Sequence, residues 1–65
     1  MNFMLEALIK KLEGEIAIAK ANILVYTRNS TGIGEHPEVV EAIESQISKI
    51  AEAQDKINTI KDLNL

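Results

Sequence analysis

The chain has no cysteine and no tryptophan, one proline, one histidine and only two aromatic side chains, Phe3 and Tyr26, in 65 residues. Each shortage closes a route. Without cysteine there is neither a disulfide staple nor a thiolate zinc site. A single histidine rules out a multi-histidine metal site within one chain. With so few aromatics, the core has to be built from Ile, Leu, Val and Ala. No apolar run approaches the ~20 residues needed to span a bilayer. The opening stretch "MNFMLEALIKKLEGE" is broken by Glu6, Lys10, Lys11 and Glu13, with no basic region before it, so it does not read as a signal peptide. A formal net charge of −3 argues against a nucleic-acid protein, whose affinity rests on phosphate neutralisation. The expectation is a soluble cytoplasmic protein.

What is present is aliphatic. Hydrophobic residues make up 46% of the chain, too many for a disordered segment. A chain this short sits near the lower limit for a self-sufficient core, and without staples it depends on very regular helix packing or on oligomerisation.

In the first half, Leu5, Ile9, Leu12, Ile16, Ala19, Ile23 and Tyr26 alternate in steps of four and three. That is an unbroken heptad seam on a helix from about residue 3 to about 28, of coiled-coil type. A second line with the same alternation holds Met4, Ala7, Lys11, Gly14, Ile18, Ala21, Val25 and Arg28. At 100° per residue the two lines are centred roughly 160° apart. Helix 1 therefore reads as two-faced, with one aliphatic contact surface and a second in which small residues recur. Gly14 belongs to the second. A glycine in mid-helix costs about 1 kcal/mol relative to alanine, so it is either a tolerated surface residue or a place where another backbone comes close.

The second half carries Val40, Ile43, Ile47, Ile50 and Ile57 at heptad spacing. Strict continuation would bury Gln54 and Lys61. A straight helix drifts about 20° per heptad, which moves the contact line onto Ala53 and Ile60 instead. The alternative is that Gln54 is a buried polar residue that fixes register or oligomer state. The other side of this helix, Glu41, Ser45, Ser48, Lys49, Glu52, Asp55, Lys56, Thr59 and Asp62, is polar.

Between the two halves, residues 29–36 form a corner. Asn29 and Gly32 both suit a helix stop, and Gly34 adds a second flexible point. His36 is held extended before Pro37, which suits the first position of a helix over about 37–63. Glu38 and Glu41 place negative charge at the positive end of that helix, and Ile33 can tuck over the end of the structure near Tyr26 and Val40.

Residues 1–65 thus form a single all-α domain, an antiparallel two-helix hairpin. Its expected core is Leu5, Ile9, Leu12, Ile16, Ile23, Tyr26, Val40, Ile43, Ile47, Ile50, Ile57 and Ile60, with a corner of Gly32, Ile33, Gly34, His36 and Pro37. Pairing the seams leaves the second face of helix 1 open. Met4, Ala7, Gly14, Ile18, Ala21 and Val25 are the expected oligomer interface, through which two hairpins would assemble as a four-helix bundle.

Chemistry-bearing patterns are weak. "GIGEH" has half the look of a phosphate-cradling loop, but no strand precedes it and no lysine follows the second glycine. Glu35, His36, Glu38 and Glu41 read as caps and solvated charge rather than metal ligands. Ser30, Ser45 and Ser48 lack a base, an oxyanion donor and a pocket. No catalytic residue, metal or cofactor is assigned, and the chain is not expected to be an enzyme.

Phe3, Lys10, Lys11, Lys56 and Lys61 could gather at the open end of the hairpin. In length and plan the chain resembles the Rop type of plasmid-copy-number regulator, a helical-hairpin dimer that binds RNA. This is a resemblance of architecture that transfers no residue, and Glu6, Glu13, Asp55 and Asp62 dilute the positive potential. The runs "LEGEIAIAKANILVY" and "GIGEHPEVVEAIESQISKIAEAQDKI" resemble small uncharacterised proteins of tailed bacteriophages, marine cyanophages among them. That resemblance implies a phage-infected bacterial cytoplasm or a virion as the setting, and no activity. The leading expectation is a self-associating interaction or structural module, a homodimer or higher oligomer, with an adaptor role toward a larger protein. The alternative is a regulatory RNA- or DNA-binding hairpin dimer.

Overall fold

The computed structural model describes residues 2–28 and 38–65. Its elements are two α-helices of 26 residues each, α1 (Phe3–Arg28) and α2 (Glu38–Leu63). The corner residues Gly32, Ile33, Gly34, His36 and Pro37 lie outside the described residues, as does the start of the second helix at 37.

Local chemistry sets the helix ends. The side-chain oxygen of Asn2 accepts the Leu5 backbone N–H at 2.9 Å, and its carbonyl accepts that of Glu6 at 3.0 Å. Asn2 is therefore the N-cap of α1, satisfying donors that a helix start leaves without partners. At the far end of α2, Asn64 takes a left-handed backbone with φ of 55°, and its N–H reaches the Lys61 carbonyl at 3.3 Å. Asparagine tolerates that conformation better than other residues with a side chain, and it stops the helix there.

The helices pack antiparallel. Leu12, Ala53, Ile57 and Ile60 form the buried cluster, and Leu5, Ile9 and Ile16 pack against it. The start of α1 therefore lies against the end of α2, and the tightest part of the core sits toward the chain termini. Towards the other end, Ile23, Tyr26, Val39, Ala42, Ile43 and Ile50 are half-buried. The product is a rod, 48 × 14 × 11 Å, with a radius of gyration of 15.0 Å. A globular chain of this length would have about 10.7 Å.

Two expected core residues are not in the core. Val40 is 71% exposed and Ile47 is 54% exposed. The inner line of α2 instead runs Val39, Ile43, Gln46, Ile50, Ala53, Ile57 and Ile60, an unbroken alternation of four and three. Val40 and Ile47 sit roughly 90–110° away from its centre at 100° per residue. A polar residue, Gln46, occupies an inner position that aliphatic spacing alone gave to Ile47. Further along, Ala53 and Ile60 are buried and Gln54 is exposed, donating to the Asn58 side chain at 3.1 Å on the surface. The contact line moves onto Ala53 and Ile60, and Gln54 is not a buried polar anchor.

Candidate functional site: the outer face of the first helix

With its seam against α2, α1 leaves its second line open. Met4 is 66% exposed, Ile18 64% and Val25 54%. Ala7, Gly14 and Ala21, which fall between them, are exposed as well. A Cβ added at Gly14 would meet no atom beyond its own stretch of helix within 4 Å. Within the single chain, then, nothing requires glycine there, and the position offers a free hollow. Leu8 and Leu24 flank the strip and are also exposed. An exposed, mainly apolar strip of this kind, interrupted here by Lys11, ordinarily marks an interaction surface.

Beside the strip lies a shallow cleft of about 320 Å³, lined by Glu15, Ile18, Ala19, Asn22, Gln46 and Lys49. Its lining includes Ala19, a small residue buried in the seam. On one wall the Asn22 amide donates to the Gln46 side-chain oxygen at 3.1 Å. This bond joins the two helices, and Gln46 is the one buried polar residue among those described. A polar pair of this sort adds little net stability, because its groups exchange water for each other. Replacing Asn22 and Gln46 together by leucine is expected to leave the hairpin as stable as before or to raise its thermal midpoint by a few degrees, as a melt followed by circular dichroism would record.

Three lysines lie against glutamates of their own helix. Lys11 donates to Glu15 at 2.7 Å, Lys56 lies 3.3 Å from Glu52, and Lys10 lies 4.0 Å from Glu13, each pair within one helix. The Lys11 hydrogen bond and charge hold the Glu15 carboxyl below its ordinary range, with a smaller pull from Lys56 on the other helix. Such exposed pairs contribute little to stability. They do lower the positive potential that Lys10, Lys11 and Lys56 would otherwise present at the open end. Phe3, at 77% exposure, stands clear of the core there.

Among the described residues, no three His, Asp or Glu side chains are placed together to hold a metal ion. No described helix is long and apolar enough to cross a membrane. In comparisons with known proteins, the chain matches no family model, and no curated protein or solved structure is detectably similar to it.

Proposed function

We propose that the chain is a non-enzymatic helical module that self-associates through the outer face of α1. Two hairpins would meet helix to helix as a four-helix bundle, leaving the outer sides of α2 for a larger partner in an adaptor role. The observation that carries this reading is the exposed line of Met4, Ile18 and Val25 on a helix whose opposite face is already committed to α2. A hairpin of this size has little stability to spare, and covering that line contributes roughly 25 cal/mol for each Å² of apolar surface removed from water. The alternative as a regulatory RNA or DNA binder loses support from the three lysines already lying against glutamates. The resemblance to small tailed-phage proteins supports an infected bacterial cytoplasm or a virion as the setting.

Self-association makes stability depend on concentration. The thermal midpoint is expected to rise by several degrees for each tenfold increase in protein concentration. A midpoint that stays constant from micromolar to millimolar protein would remove the reading.

A further inference from the structure

The outer line of α1 is not a uniform strip. Read along the helix it alternates long and short: Met4, Ala7, Lys11, Gly14, Ile18, Ala21, Val25, Arg28. Every heptad position of one kind carries a long or branched side chain. Up to Ala21, every position of the other kind carries alanine or glycine. This order distinguishes the two ways in which a second copy could lie on it.

In a parallel pair each residue faces its own copy. Ile18 would press on Ile18 and Lys11 on Lys11, while Gly14 would face Gly14 across a gap. The helices would be held apart at one layer and left with a void at the next, and both defects are costly in a packed interface. In an antiparallel pair the two kinds of heptad position face each other. With the two-fold axis beside residue 16, Ile18 enters the hollow at Gly14, Val25 covers Ala7, the aliphatic stem of Lys11 lies over Ala21, and Met4 meets the stem of Arg28. Each long side chain then finds a short one opposite, in both directions, as a two-fold contact requires. Glu15 comes near its own copy beside the axis, and each carries its Lys11 ammonium at 2.7 Å, so two compensated pairs approach rather than two bare carboxylates.

The chain also exposes more surface than a compact monomer of its mass, enough to leave room for such a contact. A folded monomer of 7.2 kDa exposes about 4,100 Å² by the usual scaling with mass. This chain exposes 4970 Å². The excess, about 870 Å², is of the order of the ~800 Å² that each partner contributes to a standard stable interface.

We propose that the second copy binds antiparallel, with Ile18 of each chain seated at Gly14 of the other and Val25 over Ala7. This rests on the self-association proposed above, and one experiment separates the two claims. Because the chain has no cysteine, single thiols can be introduced as Ala7→Cys in one preparation and Val25→Cys in another. The reduced proteins are mixed, left to exchange subunits, oxidised and analysed by mass spectrometry, with their reduced solution mass measured first. In the antiparallel pair positions 7 and 25 meet. Like positions are then about 27 Å apart along the axis, far beyond the ~7 Å Cα separation that a disulfide spans. The mixed 7–25 disulfide is expected to exceed the 7–7 and 25–25 products at least about tenfold, against a statistical ratio of about two without such a geometric limit. Predominance of like-with-like disulfides, or the statistical ratio, overturns the antiparallel arrangement and leaves self-association standing. Reduced variants and parent that are all monomeric overturn self-association itself.

Discussion

Leu12→Ala is expected to cost about 2–4 kcal/mol of folding stability, the largest effect of any single truncation in α1. Leu12 is 2% exposed and is the largest side chain buried almost completely, at the centre of the cluster with Ala53, Ile57 and Ile60. Removing it opens a cavity in a rod only two helices thick, where few neighbours can close in. Ile57→Ala, on the facing helix, should cost a comparable amount. Ile47→Ala, which loses the same atoms from a side chain 54% exposed, should cost under about 1 kcal/mol. Urea unfolding of the three variants at one protein concentration measures the ordering. Equal costs at 47 and 57 would mean that the inner line of α2 does not run through Gln46.

The second large effect is on association. Ile18→Glu places a carboxylate in the middle of the outer face of α1, where it would be buried without a partner. It is expected to raise the dissociation constant at least about a hundredfold, equivalent to about 2.7 kcal/mol. Helix content at high protein concentration should change little, because Ile18 takes no part in the buried cluster within the hairpin. Ser48→Glu, on the exposed side of α2, should leave the dissociation constant within about twofold of the parent, as surface changes usually do. Sedimentation equilibrium of the three proteins reads both effects. Loss of helix in the Ile18 variant under all conditions would instead show that position 18 supports the hairpin itself.

Much of this fold was legible in the sequence, and the reasons are local. The seam of α1 contains only aliphatic residues, alanine and a tyrosine, so its period could be read without ambiguity. The seam of α2 could not be read so directly. Its true line passes through Gln46, and following only the aliphatic residues moved the line one position too far, onto Val40 and Ile47. Ala53 and Ile60 were recovered from the drift of a straight helix against a seven-residue repeat. The signal for Gln46 was present in the unbroken spacing from Val39 to Ile60, visible once a glutamine is allowed inside. Asn22 gave no such signal. It lies one turn past Ala19 and directly before Ile23, on the rim of the seam, and only the packed pair shows it reaching across to Gln46 at 3.1 Å. The N-cap at Asn2 did carry a signal, an asparagine directly before the apolar pattern of α1.

The outer face of α1 follows from the same periodic reading. It is exposed in the single chain, and association would cover it. The most direct measurement is the mass of the parent protein by light scattering across a concentration series from micromolar to millimolar. A stable assembly at twice the chain mass of 7.2 kDa is expected. A well-folded species that keeps the single-chain mass at every concentration would contradict it.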